Sequence, residues 1–468
     1  MELTWNEVLA ATNAKVHSGK LRGNDAIPKI TTDTRKIETG DLFIALRGEN
    51  FDGAEFAADA LQKGASAVLV GAPLSKSVEK ALKNAKGAVL TVPDTLAAYQ
   101  AIAHAWRMKF GVPVVAITGS NGKTTTKDLT AAVLSARGTV CRTAANYNNE
   151  VGLPLTLLGM TGGDIAAVVE IGMRGLGQIA ALAPVAAPTI GIVTNVCEVH
   201  MELLGSIENI AKAKAELVQT IPASGTVILN ADDARVAAMR SLAADGVRVL
   251  TYGIGADADV RAEALRLTSD GSQFMVTWNK ERHDYSIPLA GRHNVSNALA
   301  ALAAGFVLGY TPQEMQTGLR RLAVTKMRYE VHEVGAWTFI NDAYNASPSS
   351  MAAALETTAN LYEGRKIAVL GDMLELGDAA EEAHRRIGRR AAELGFAALV
   401  TYGPQSRWVH AAAEAAGCPV CCHAETHEAA AEHLRTLLRD GDTVLFKGSR
   451  GMKMEAVIAL LTGEEAGH

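Results

Sequence analysis

Val112-Pro113-Val114-Val115-Ala116-Ile117 runs directly into Thr118-Gly119-Ser120-Asn121-Gly122-Lys123-Thr124, and that junction sets the fold class. The first segment is a short β-branched apolar run that reads as a buried strand, and the stretch after Thr124, rich in Thr, Ala and Leu, reads as a helix. Gly119 and Gly122 let the backbone curl so that the N–H groups of Ser120, Asn121 and their neighbours converge on phosphate oxygens. The helix N-terminus adds positive potential, Lys123 adds a full charge, the Thr124 hydroxyl follows at the position where magnesium is met, and Thr125 closes the nucleotide-binding stretch Gly119 to Thr125. The spacing departs from G-x-x-x-x-G-K-[ST], because Ile117 stands where the first glycine belongs. On the residues alone, a structural turn with an incidental Gly-Lys-Thr stays open.

Outward from this loop the chain alternates apolar runs with helical stretches. Upstream, residues 41–46 and 67–70 are short strand-like runs separated by glycine turns, and residues 95–110 form an Ala-rich helical pattern. Downstream, the runs at 166–171, 190–196 and 227–230 alternate with helices, as in a doubly wound parallel sheet. From about residue 327, the runs at 366–370, 397–402 and 443–446 repeat that pattern. The expectation is an α/β protein of three domains: a small N-terminal α/β domain (1–93), a central doubly wound phosphate-loop domain (94–325) and a C-terminal Rossmann-like domain (326–468).

Composition narrows the function classes. With 468 residues, 48% hydrophobic and 20% charged, the chain can build several cores. A net charge of −5 gives no general attraction for nucleic acid or anionic membranes. Residues 179–197 are uncharged but carry Pro184 and Pro188 and little Leu, so no membrane insertion is expected. Five cysteines and no apolar leader point to a reducing, cytoplasmic location. Cys418-Pro419-Val420-Cys421-Cys422-His423 has zinc-like local spacing, but no second cysteine pair completes the ligands, and a short strand suits that position better.

Three side chains stand out beyond the loop. Glu170 and His200 each follow an apolar run and belong at the carboxyl edge of a parallel sheet, where both could meet magnesium. Taken singly, a cap and a structural histidine stay open. Lys214 falls within the apolar stripe Ile207, Ile210, Leu217, Val218 and Ile221, whereas Lys212 points away from it. An inward amine is desolvated and favours its neutral form, which can take up carbon dioxide as a carbamate. The alternative is a lysine that snorkels at a helix end.

These motifs resemble the Mur ligase family along nearly the whole chain. The likeness is carried by Thr118 to Thr124, by Asn146-Tyr147-Asn148-Asn149-Glu150-Val151-Gly152, by Glu170-Ile171-Gly172 and by His200 with Lys214. Gly291-Arg292-His293-Asn294-Val295-Ser296-Asn297, Arg328-Tyr329-Glu330 and Asn341-Asp342-Ala343-Tyr344-Asn345-Ala346-Ser347-Pro348 extend it, and Thr32-Asp33-Thr34-Arg35 and Leu46-Arg47-Gly48-Glu49-Asn50-Phe51-Asp52-Gly53 fit in the first domain. The resemblance implies an ATP-dependent carboxylate–amine ligase in which the shortened loop is normal and Lys123 and Thr124 hold phosphates and magnesium. It further implies Glu170, His200 and a carbamylated Lys214 as metal ligands, Asn294 and Asn297 toward adenine, Arg328 toward the phosphates and Asp342 toward the ribose. Asp33 and Arg35 would hold the UDP end of the substrate, and Asn146, Asn148, Asn149, Tyr344 and Asn345 would line the substrate.

Within the family, Gly371-Asp372-Met373-Leu374-Glu375-Leu376-Gly377, His200-Met201-Glu202 and Lys447-Gly448-Ser449-Arg450 resemble the branch that adds D-alanyl-D-alanine to UDP-N-acetylmuramoyl-tripeptide, and no Asp-Asn-Pro-Arg segment is present. A monomer acting on these small molecules is expected. The alternatives are a diaminopimelate- or lysine-adding ligase, or a folylpolyglutamate synthetase.

Overall fold

Short β-branched runs become strands wherever they can be buried on both faces, and polar or glycine-bearing segments between them turn the chain. The computed structural model describes residues 2–48, 51–323 and 325–463, so Glu49 and Asn50 lie outside the described residues. The chain forms two compact units, the first comprising Met1–Ala116, Gly138–Ile171 and Ala180–Thr189, the second Ile117–Arg137, Gly172–Ile179 and Ile190–His468.

The first unit contains strands β1 (Lys15–Ser18), β2 (Ile30–Thr31), β3 (Leu42–Ile44), β4 (Ala67–Gly71) and β5 (Ala88–Val92) in the order β1-β5-β4-β3-β2. All neighbours are parallel except β1 with β5. Phe43, Val68, Val70 and Val89 pack against Ala57, Leu61, Val78 and Leu82 of the covering helices. Asp94 caps the helix Thr95–Arg107 by accepting from the N–H groups of Leu96 and Ala97. At the end of that helix Arg107 is buried, and its guanidinium donates to the carbonyls of Phe110, Val112, Ala186 and Ala187. The strand β6 (Val114–Thr118), entirely buried, runs from this unit into the next, and β7 (Thr139–Arg142) pairs in parallel with β8 (Asp164–Glu170).

In the second unit, β9 (Ile190–Val193), β10 (Thr226–Asn230), β11 (Arg248–Gly253) and β12 (Val260–Thr268) are parallel neighbours, and β13 (Gly271–Trp278) and β14 (Glu281–Ile287) extend them antiparallel. This antiparallel arm is absent from the parallel-only expectation. Its signal is the apolar–polar alternation Val260-Arg261-Ala262-Glu263, where buried Val260 and Ala262 alternate with partly buried Arg261 and Glu263, the period-two pattern of a half-buried strand.

The remaining strands, β15 (Glu330–Val334), β16 (Trp337–Asn341), β17 (Lys366–Gly371), β18 (Ala398–Tyr402), β19 (Cys421–Ala424) and β20 (Thr443–Lys447), form a six-stranded sheet in the order β15-β16-β20-β17-β18-β19. Only β15 is antiparallel. Cys421 and Cys422 lie on β19, the short strand expected there, and their thiols are free. Residues 179–197 divide between the helix Gln178–Ala186 and β9. Among the described residues no helix is long and apolar enough to cross a membrane.

Candidate active site

The loop after β6 keeps its shape because side chains cannot replace its glycines. Gly119 has φ +147, and a Cβ there would lie 1.8 Å from Thr194 Oγ1; Gly122 has φ +79, and a Cβ there would lie 2.4 Å from Asn297 Oδ1. The segment after β9 braces the loop. Ser120 N–H donates to Asn195 O at 2.9 Å, Asn121 N–H to Asn195 Oδ1 at 2.8 Å, and the Thr194 hydroxyl to Asn121 O at 2.7 Å. Cys197 N–H donates to Ser120 Oγ at 2.8 Å. Gly122 then opens the helix Lys123–Leu134, and Lys123 Nζ donates to the carbonyls of Gly119 and Ser120 at 2.9 and 3.1 Å, so its charge lies over the loop.

Lys214 sits on the helix Ile207–Thr220, begun by Ser206 as its cap, and is 2% exposed among Ile210, Leu217 and Val218, while Lys212 is exposed. No hydrogen bond or ion pair reaches the Lys214 amine among the described residues. Burial foremost, then the nearby Lys123 cation, hold its pKa well below the ordinary lysine value, against the opposing pull of Cys197. The snorkelling alternative fails, because the head group is as buried as the stem. His200 has left-handed backbone (φ +53), and its Nδ1 is hydrogen-bonded to the Glu375 carboxylate. Burial lowers the His200 pKa against the raising effect of Glu375.

Residues after 326 bring a second set of groups to the loop. Arg328 Nη2 donates to Thr124 Oγ1 at 3.1 Å, and its guanidinium lies 3.9 Å above the Tyr344 ring. Asn121 Nδ2 donates to Ser349 Oγ at 2.8 Å and Ser347 Oγ to Asn121 Oδ1 at 3.0 Å. Asp342, at the end of β16, accepts from Lys447 Nζ at 2.6 Å and from Tyr329 N–H at 3.2 Å, and Lys447 also donates to Asn345 O at 2.9 Å. Lys447 is buried, which lowers its pKa despite the raising charge of Asp342. Asn294 donates to Ala290 O, and Asn297 is bonded to Asn294 and Thr126, so both amides are engaged inside the protein under Gly122.

The first unit contains the other expected residues. Glu170 is buried at the end of β8 and accepts from Asn148 Nδ2 at 2.7 Å, while its N–H donates to Thr143 Oγ1 at 3.0 Å. Asn149 Oδ1 accepts from Gly152 N–H at 2.8 Å at the start of the helix Gly152–Leu158, and Asn146 is exposed. Asp33 and Arg35 pair with each other through two bonds of 2.9 Å on the surface, which with the Arg35 N–H bond holds the Asp33 carboxyl down at about 2. No group of three or more His, Cys, Asp or Glu converges as a cation site among the described residues.

Three family descriptions match this chain: Mur ligase family, catalytic domain, over residues 26–107; Mur ligase middle domain over 117–305; and Mur ligase, glutamate ligase domain, over 327–450. The chain is 39% identical over 435 residues to the UDP-N-acetylmuramoyl-tripeptide–D-alanyl-D-alanine ligase of Bacillus subtilis, covering 92% of each chain.

The chain belongs to the Mur ligase family.

A crystal structure of MurF from Acinetobacter baumannii shares its fold with a TM-score of 0.89 at 30% identity, over 98% of this chain and 99% of that one. A MurF ligase of Thermotoga maritima in complex with ADP matches with a TM-score of 0.83 at 25% identity, over 94% and 98%. The three α/β Mur ligase domains expected from the sequence are thus present. Sequence reasoning missed the partner of His200: Glu375 was noted only as part of Gly371 to Gly377. Lys447, noted in the Lys447 to Arg450 segment, had no partner assigned. A buried lysine with a carboxylate partner is invisible in sequence when, as here, three further strands lie between them in the chain.

Proposed function

We propose that this Mur ligase joins D-alanyl-D-alanine to UDP-N-acetylmuramoyl-tripeptide while ATP is converted to ADP and phosphate. The observation that carries the choice of substrates is the match over 92% of the chain to a relative of that name, because a phosphate loop alone is common to every amide ligase of the fold. The diaminopimelate-adding, lysine-adding and folylpolyglutamate alternatives are not favoured on the same ground.

A nucleotide fits the loop: the glycine cradle excludes side chains, and among the described residues two buried polar atoms beside it, Thr118 Oγ1 and Arg328 Nε, have no partner within the protein. Residues Gly119 to Thr125, with Arg328, would hold the phosphates, Asn294 and Asn297 the adenine side and Asp342 the ribose. Thr124, Glu170, His200 and a carbamylated Lys214 are the proposed magnesium ligands, carried over from the family resemblance. Their oxygen and imidazole donors suit a divalent cation once the lysine is carbamylated. Bound magnesium would supply charge neutralisation at the phosphate oxygens. Lys214 as a neutral amine adds to carbon dioxide, forming a C–N bond and releasing one proton, and so becomes an anion.

A carboxylate is a poor electrophile, so the γ-phosphoryl group is passed to the terminal carboxylate of the tripeptide, giving an acyl phosphate. The free amine of D-alanyl-D-alanine then attacks, and the tetrahedral adduct expels phosphate to leave the amide. Lys123 and Arg328 stabilise the developing oxygen charge, and the contacts of Arg328, Ser347 and Ser349 with the loop help to exclude water from the acyl phosphate. Asp33 and Arg35 would take the UDP end, and Asn146, Asn148, Asn149, Tyr344 and Asn345 the remaining substrate groups. We further propose domain boundaries near residues 93 and 325 and a monomer working in the cytoplasm.

The test is a substrate panel with isotope-labelled D-alanyl-D-alanine. Labelled UDP-pentapeptide and one phosphate per amide are expected only when ATP, the UDP-tripeptide and the dipeptide are all present. Labelled product with diaminopimelate or glutamate in place of the dipeptide, or vigorous ATP hydrolysis without either acceptor, would overturn the reading.

A further inference from the structure

The Glu375 carboxylate meets His200 at the nitrogen that does not have to bind a cation. Glu375 lies in the segment between β17 and the helix Ala380–Glu393, and His200 lies between β9 and the helix Ile207–Thr220, so the pair joins the two sheets of the second unit. The contact is built into the backbone. Glu202 N–H donates to Glu375 O at 3.3 Å, and Gly377, with φ +54, passes so close that a Cβ on it would lie 3.2 Å from Glu202 Cα. His200 and Glu375 both have left-handed backbones, with φ of +53 and +63, the cost of which the surrounding contacts must offset. A further ion pair, Arg386 to Glu198 at 2.7 Å, closes the same seam.

We propose that Glu375 is a positioning residue that holds His200 in the Nδ1–H tautomer, and thereby presents Nε2 as the lone-pair donor for the divalent cation. This rests on the ligase reading above, in which His200 is a metal ligand. A carboxylate only accepts, so Nδ1 must donate, and in the neutral ring that a metal ligand requires the lone pair is left on Nε2. His200 Nε2 makes no hydrogen bond among the described residues. Carboxylate–histidine–metal arrangements of this kind orient the ring and strengthen its basicity, and removing the outer carboxylate costs about 10- to 100-fold in metal affinity. Because Glu375 comes from the C-terminal sheet, the tautomer at the cation site depends on the docking of that sheet against the His200 segment.

The experiment compares the full-length protein with Glu375→Gln and Glu375→Asp, using manganese as the probe cation. Manganese affinity is read by electron paramagnetic resonance in the presence of ADP, and the His200 tautomer by long-range proton–nitrogen NMR on 15N-histidine protein, with His200 assigned by its loss in His200→Gln. Glu375→Gln should weaken manganese binding by about 10- to 100-fold and move the proton toward Nε2, with the melting temperature held within a few degrees. Glu375→Asp, which keeps the acceptor, should recover most of both. Unchanged affinity in Glu375→Gln, or weakened affinity with an unaltered tautomer, would overturn the assignment. Neither readout uses the peptide substrates, so a failed ligation panel with an intact metal response would sink the substrate assignment and leave this one standing.

Discussion

Arg328 donates its Nη2 hydrogen to the Thr124 hydroxyl at 3.1 Å although 204 positions separate them. The same guanidinium stacks on Tyr344, so one side chain ties the C-terminal part of the chain to the hydroxyl that opens the phosphate-loop helix. Its fork geometry serves both contacts at once, which a lysine cannot do.

Arg328→Ala should therefore lower kcat/KM for ATP by about 10- to 100-fold, the effect of losing a charged hydrogen bond of about 1.5–3 kcal/mol. Arg328→Lys should recover only part of this. Steady-state phosphate release at varied ATP checks it, and equal values for the lysine variant and the wild type would show that charge alone suffices.

The loop should be intolerant of a single methyl group. Gly119→Ala places Cβ against Thr194 Oγ1 and strains a φ of +147, so a stability loss of about 1–3 kcal/mol and a larger loss of nucleotide binding are expected. Gly119→Ala combined with Thr194→Ala removes the worst clash, that with Oγ1, and should regain some stability but not all, because Thr194 Cβ and N remain 3.0 and 3.1 Å from the new methyl, the hydroxyl bond to Asn121 O is lost and the backbone strain persists. Urea denaturation and fluorescent-nucleotide titration measure the two effects.

Lys214 makes stability depend on pH with a definite sign. Its folded pKa lies well below 10.5, so between the folded value and 10.5 the unfolded chain binds the extra proton. Stability in carbon dioxide-free buffer should then rise with pH through that window. Lys214→Met should be more stable than the wild type at pH 7 and lose this slope, while losing ligase activity. Lys214→Ala should regain part of its activity with added short carboxylates; full activity without them would eliminate the carbamate role.

Arg107 is a structural counterpart. Its guanidinium satisfies carbonyls of four residues, so Arg107→Met should destabilise the protein by about 3 kcal/mol or more, since each carbonyl left buried and unpaired costs roughly 1–3 kcal/mol. A denaturation midpoint within error of the wild type would show that water replaces the clamp.

What could be read without coordinates was whatever is encoded in neighbouring residues. The strand–Gly–Lys–Thr–helix junction, the strands at β4, β10, β17 and β20, and the inward face of Lys214 all follow from periodicities of two and 3.6 and from glycine's access to positive φ, which act within a few residues. Folding alone settled which remote side chains meet: Glu375 with His200, Lys447 with Asp342, and Asn297 beneath Gly122. Such pairings depend on sheet order and on the crossovers that bring strands β16 and β20 side by side. No local preference of an aspartate or a lysine specifies which opposite charge it will be buried against, because that choice is made by the burial of the strands that bear them.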